Sequence, residues 1–166
     1  MRHAMAIAVL LLVAGCQDDV APEEQAARDA RDVELVEAAN DTKPPLQQVT
    51  PEPISPADME QFDLYGAACN YAPGTSLGTR VIARESDAFL KVDDKVVRLA
   101  ADPGSRELPQ HSRSLYSGTE YALRLEISGE GNPASGERMN YEGSVTLRDA
   151  YGRVVYEGTG LAQCGP

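Results

Sequence analysis

The chain has no tryptophan, two phenylalanines, two histidines and three cysteines in 166 residues. Setting aside His3 and Cys16, close to the start, leaves only His111, Cys69 and Cys164, too few donors for a multi-ligand zinc site. Basic residues are scarce as well, 15 against 26 acidic ones, for a net charge of -11. Phosphate binding needs a basic face that displaces counterions, so nucleic acid is excluded as a partner class. The same imbalance weakens purely electrostatic attraction to anionic lipid. The longest apolar run, residues 4–14, falls short of the ~20 residues that a membrane-spanning helix needs. There is no fixed-period repeat, no alternation of strand and helix patterns and no heptad. What remains is one modest domain with extras.

The extras begin at the N-terminus. Arg2 precedes the apolar run, which has the length of the core of an export signal over residues 1–15. Val13-Ala14-Gly15-Cys16, followed at once by polar Gln17-Asp18-Asp19, resembles the lipobox of bacterial lipoproteins. That resemblance implies cleavage before Cys16, a diacylglycerol thioether on Cys16 and an acylated amine, with palmitate among the chains. Burial of ~0.8 kcal/mol per CH₂ makes two or three such chains a lasting anchor. In lipoproteins of this kind an Asp directly after the Cys favours the inner membrane. Gln17 therefore implies the outer membrane, with the domain facing the periplasm. The alternative is an ordinary secretory signal whose cleavage zone contains a cysteine.

Charge divides the rest unevenly. Residues 17–64 carry thirteen acidic and three basic residues, whereas residues 65–166 carry thirteen and eleven. Residues 16–54 read as a lipidated, acidic and Pro-rich tether. Within it, Pro22, Glu23, Glu24 and Asn40 are helix start and stop signals, but Val33, Leu35 and Val36 are the only large apolar residues between Pro22 and Asn40, so a solvated, transient helix is expected there. Pro44, Pro45, Pro51 and Pro53 predict a semi-extended, disordered spacer.

The domain is expected over residues 55–166. Ser55-Pro56-Ala57-Asp58 predicts a capped short helix, with Met59, Phe62 and Leu64 packing on the domain. Strands follow at residues 81–84, 89–92 and 95–99, the last two flanking Asp93-Asp94 as a two-residue hairpin. Residues 121–128 place Tyr121, Leu123, Leu125 and Ile127 on one face. Residues 141–148 repeat the alternation, with Gly143 marking a bulge or close approach, and Asp149-Ala150-Tyr151-Gly152 turns into a partner strand at 153–157. The fold class is all-β: a small antiparallel barrel or sandwich of five to eight strands, preceded by the short helix and the tether. Residues 72–78, 101–117 and 129–140 are expected to be loops.

With Cys16 lipidated, Cys69 and Cys164 remain, and an oxidising compartment pairs them. Their places at the two ends of the β region put the first strand beside the last. The alternative is two buried free thiols.

No catalytic constellation stands out. His111 sits in a loop beside Ser112 and Ser114 without a persuasive nucleophile geometry, Asp93-Asp94 is explained as a turn, and no phosphate cradle or cofactor motif is present. The expectation is a protein that is not an enzyme and holds no metal. Leu108-Pro109-Gln110 with Ser117-Gly118-Thr119-Glu120-Tyr121 resembles the S-G-x-x-Y segment of the membrane-bound inhibitors of c-type lysozyme, small eight-stranded β-barrel lipoproteins. The order of an early Cys, a K-V-D-x-K strand and a closing Cys is similar too. The resemblance implies that Ser117 is the loop residue inserted into a lysozyme cleft and that Tyr121 supports it. No Lys follows Lys95, which departs from that family's later K-G segment. Residues 55–71, ending in Gly-Ala-Ala-Cys-Asn-Tyr, also look like uncharacterised Gram-negative lipoproteins. The expected function is binding of a protein or envelope ligand through the loops at 113–118 and 129–138, with Arg113, Ser117, Gly118 and Tyr121 as contact residues. A passive envelope component is the alternative, and an envelope hydrolase a third.

Overall fold

The computed structural model describes residues 21–166 apart from Leu77, so the expected export signal and the expected lipidation site Cys16 lie outside the described residues. The chain divides into two units, Met1–Pro44 and Pro45–Pro166. In the first, α1 (Pro22–Asn40) is a complete helix of 19 residues. Pro22 and the acidic pair Glu23 and Glu24 occupy its first turn, where the missing N–H is not needed and the helix dipole favours negative charge. Arg28 reaches Glu24 at 2.8 Å and Gln25 reaches Asp29 at 2.8 Å, each one turn away. No residue of α1 is buried. The start and stop signals read at Pro22, Glu23, Glu24 and Asn40 fall on a helix with these bounds, and its exposure agrees with the thin apolar stripe.

The second unit is an eight-stranded antiparallel closed barrel. Its strands are β1 (Ala68–Pro73), β2 (Val81–Ala83), β3 (Asp87–Val92), β4 (Lys95–Ala101), β5 (Leu115–Ser117), β6 (Tyr121–Pro133), β7 (Met139–Asp149) and β8 (Val154–Gly165). Each pairs with the next in sequence, and β1 pairs with β8 to close the ring. Period-two alternation sends Tyr71, Leu90, Leu99, Tyr116, Leu123, Leu125, Val145 and Leu147 into the interior, where all are fully buried. Each such side chain contributes ~1.5–3 kcal/mol of apolar burial. Tyr121 and Ile127 flank the same face at lower burial.

A second apolar cluster, Ile54, Leu64, Ala68, Ile82 and Phe89 with Met59 and Val96 against it, covers the outside of the first strands. It exists because the chain before β1 straps that surface. Val49 N donates to Val155 O at 3.0 Å, Glu52 N to Lys91 O at 2.8 Å and Ile54 N to Thr79 O at 2.8 Å. The expected spacer is thus ordered onto the barrel from residue 49 onward, a correction that composition hid because backbone groups make the contact. Next, α2 (Pro56–Gln61) is fixed by a capping box: Asp58 N donates to Ser55 Oγ at 3.2 Å, and Ser55 N donates to Asp58 Oδ2 at 2.8 Å. Lys91 points out of β3 beneath this helix, with its ammonium 3.3 Å from Asp58. Leu64 is buried as expected, but Phe62 is exposed.

The hairpin at Asp93 and Asp94 forms with both residues at positive φ, as the tight turn between Val92 and Lys95 requires. The turn at 149–152 forms too, with Gly152 N donating to Asp149 O at 2.9 Å. Two expected loops are largely structured. β6 runs on to Pro133 and β7 begins at Met139, which shortens the loop at 129–140 to a turn closed by Ala134 N donating to Arg138 O at 2.9 Å. The loop at 101–117 holds β5 and a single 3₁₀ turn at Pro109–His111 that packs against β1 and β8, with Leu108 buried in the core.

Candidate functional site

The disulfide between Cys69 and Cys164 closes the ring covalently. The two cysteines face each other directly in the β1–β8 ladder. Both point inward, so the next residue on each strand points outward, and Asn70 lies opposite Gln163 on the outer surface. Gln163 also faces Asn140 of β7, and its Nε2 donates to Asn140 Oδ1 at 3.0 Å. Three amide side chains therefore form a row across β1, β8 and β7 in a register that the disulfide pins.

This row lies in a groove beside α2. Two neighbouring cavities, of about 290 and 160 Å³, share Met59, Asn70, Arg138 and Gln163 as walls. The larger adds the apolar side chains of Ala72, Ile82 and Leu161, and the smaller reaches exposed Tyr65. No Asp or Glu side chain lines either cavity. Asn70 Oδ1 is buried and has no hydrogen-bond partner. Arg138 is exposed, and it has no ion-pair partner among the described residues. Its side chain lies against Gly165, where an added Cβ would come within 2.5 Å of Arg138 Cγ. The groove thus offers a cation, an unused acceptor and an apolar floor in one place, the usual composition of a small-ligand site. Sequence reading missed it because its walls come from separate stretches. The local signals are that Asn70 and Gln163 each sit beside a cysteine of the pair and that Arg138 ends the stretch 129–138 expected to bind a ligand.

The contact residues expected from sequence are not gathered in this way. Ser117 ends β5, and residues 117–120 are all exposed in a tight hairpin closed by Gly118 N donating to Tyr121 O at 2.9 Å. Gly118 permits this, because a Cβ there would stand 2.7 Å from Leu99 Cδ2. Tyr121 is partly buried; its hydroxyl is pushed to a higher pKa by burial first and then by the charges of Glu120 and Asp93. The hairpin thus has acidic neighbours. Arg113 lies ~13 Å of extended chain from Ser117. Its guanidinium reaches Glu107 at 3.7 Å, and its backbone N donates to Tyr116 Oη at 2.6 Å. Tyr116 Oη in turn donates to Arg84 O at 2.7 Å.

That last contact belongs to a network around Asp87, a buried carboxylate. Arg84 Nε donates to it at 2.8 Å and Arg98 Nε at 3.0 Å. Burial pushes the Asp87 pKa up, but the hydrogen bonds and charges of Arg84 and Arg98 outweigh it and hold it below the usual carboxylate range. Arg84 also stacks over Phe89 at 4.8 Å. The network ties the β2–β3 turn to β4 and Tyr116. His111 is mostly exposed, with Nδ1 2.8 Å from Glu107.

Among the described residues no helix is long and apolar enough to cross a membrane, and no cluster of three metal-ligating side chains forms. In comparisons with protein-family models, with curated proteins and with solved structures, nothing matches this chain.

Proposed function

We propose that this chain is an exported, lipid-anchored binding protein that presents its barrel to the periplasm and captures an envelope ligand in the groove beside α2. Attachment through Cys16 to the outer membrane rests on the lipobox resemblance of Val13-Ala14-Gly15-Cys16. The binding role is carried by one observation: the buried Oδ1 of Asn70, unpartnered among the described residues, in a groove that also presents Arg138, which has no ion-pair partner among them. An unsatisfied buried acceptor costs ~1–3 kcal/mol, which a ligand donor would restore on binding.

Hydrogen exchange on the full chain in detergent tests the groove. A dialysable envelope extract containing the ligand slows exchange at β1, β8 and residues 138–141, and Asn70→Ala with Gln163→Ala removes the effect. No slowing with any fraction refutes the reading. Growth on radiolabelled palmitate tests the anchor: label enters the protein and is lost in Cys16→Ser, whereas an unlabelled protein refutes lipidation.

A second reading is supported by the eight-stranded barrel and the exposed Ser117 at a hairpin tip: inhibition of a c-type lysozyme by insertion of that hairpin. Glu120 and Asp93 beside the hairpin oppose entry into a cleft lined with carboxylates. Slowing of lysozyme by an excess of the protein, lost in Ser117→Tyr, would support this reading; undiminished lysozyme activity removes it.

A further inference from the structure

We infer that the groove takes the carboxyl end of a short peptide with an apolar last residue, its carboxylate on Arg138, an amide N–H on Asn70 Oδ1 and its side chain on Ala72, Ile82 and Leu161. This names the ligand class for the groove and so rests on the binding reading above. Three features carry it. First, the chain has a net charge of -11, yet no Asp or Glu side chain lines either cavity and Arg138 stands there without an ion partner among the described residues. A local cation in an acid-free groove selects an anion, and the planar guanidinium matches a carboxylate with two parallel hydrogen bonds. Second, Asn70 Oδ1 is a buried acceptor with no donor. A ligand that is only an anion leaves it unsatisfied, whereas a peptide carries an N–H a few bonds from its carboxylate. Third, the floor beneath these groups is apolar and the larger cavity is about 290 Å³, near the lower end of the ~300–1,000 Å³ typical of small-molecule sites. That space accepts the last residue of a short peptide, and Ala72, Ile82 and Leu161 favour an apolar side chain there.

Gln163 completes the arrangement. Its Nε2 already donates to Asn140, so its orientation is fixed and its amide oxygen is an acceptor for a second peptide N–H. The disulfide at the neighbouring position holds Asn70 and Gln163 in register, so the acceptor pair is preorganised before any ligand arrives.

The test uses the ¹⁵N-labelled full chain in detergent micelles, with N-acetyl-Ala-Ala as probe and its C-terminal carboxamide, acetate and glucuronate as companions. N-acetyl-Ala-Ala should shift the side-chain amide signals of Asn70 and Gln163 and saturate. The carboxamide should bind at least about tenfold more weakly, as should the free acid to Arg138→Gln, consistent with loss of one charge-assisted contact. Arg138 is exposed in a turn, and an unchanged spectrum elsewhere shows that the variant is folded. Equal binding of acid and carboxamide overturns the carboxylate assignment. Equal shifts from acetate or glucuronate overturn the peptide assignment. If none of the defined probes binds while an envelope fraction still protects the groove from exchange, the ligand class is wrong and the binding reading survives. If neither binds, both fall.

Discussion

Replacing Cys69 and Cys164 together by alanine should destabilise the barrel by ~4–5 kcal/mol. The magnitude follows from the 95-residue separation of the pair. In the chain-entropy description a cross-link removes about 2.1 + 1.5R ln n cal/mol/K from the unfolded state, and a loop of this length gives ~4.7 kcal/mol at 25 °C. A domain of this size has a total stability of ~5–15 kcal/mol, so a third or more of it is at stake. The native ladder is not expected to open, because β1 remains bonded to β8 through six residue pairs and to β2 through three. Urea unfolding of the full chain, wild type against variant, measures the difference, and the midpoint should fall. The slope should rise, since the uncross-linked unfolded chain exposes more surface. Thermal melting should drop by ~12–25 °C at ~3–5 °C per kcal/mol. A loss below ~1 kcal/mol would refute the entropic reasoning. A large loss accompanied by disappearance of the β1–β8 amide signals would instead assign the bond a role in holding the folded ring together.

Three further outcomes are expected. Asp87→Asn should cost ~2–4 kcal/mol near neutral pH, since it leaves Arg84 and Arg98 facing a buried neutral group. The folded pKa of Asp87 lies below its unfolded value, so its contribution is complete above ~pH 4 and is lost as pH falls through the lowered folded value. Unfolding curves of wild type and variant should therefore converge in acid, and a pH-independent difference would contradict the assignment. Ser55→Ala should cost ~1 kcal/mol through loss of the cap and speed amide exchange in α2, with no change at β6 or β7; unchanged exchange in α2 would refute it. Gly160→Ala should destabilise by ~1–3 kcal/mol and perturb the β1–β8 edge, because its Cβ would fall 2.1 Å from Ala72 O, a backbone atom; a neutral effect in urea unfolding would show that the strands can separate there.

The features legible in the sequence were those with a local or period-two signal. Asp93-Asp94 between two short apolar-rich runs gave a hairpin, Tyr121 to Ile127 gave the inward face of β6, Ser55 to Asp58 gave the capping box, and two leftover cysteines gave the closing pair. The misjudged features depend on partners distant in sequence. β8 continues to Gly165 through Gly158 and Gly160, residues with poor strand propensity that are used where Tyr71, Tyr156 and the β1 backbone come too close for a side chain. The strap at 49–54 is held by main-chain hydrogen bonds to three separate stretches as well as by Val49 and Ile54, and a Pro-rich composition does not register those bonds. The groove was invisible for the same reason: Met59, Asn70, Arg138 and Gln163 are neighbours only after the ring has closed. Ser117, Gly118 and Tyr121 were singled out by the S-G-x-x-Y resemblance and Arg113 by its place in the same expected loop, yet Arg113 turns away to Glu107 and the Tyr116 network.

That β8 is the final element of the ring has a consequence for biosynthesis. Until its residues emerge, both β1 and β7 present bare hydrogen-bonding edges with nothing alongside them. Such edges invite pairing with other nascent chains. A premature stop ahead of Leu161 would therefore yield a self-associating polypeptide and not a smaller working barrel, because it strips most of the β1 partners and the second thiol in one cut.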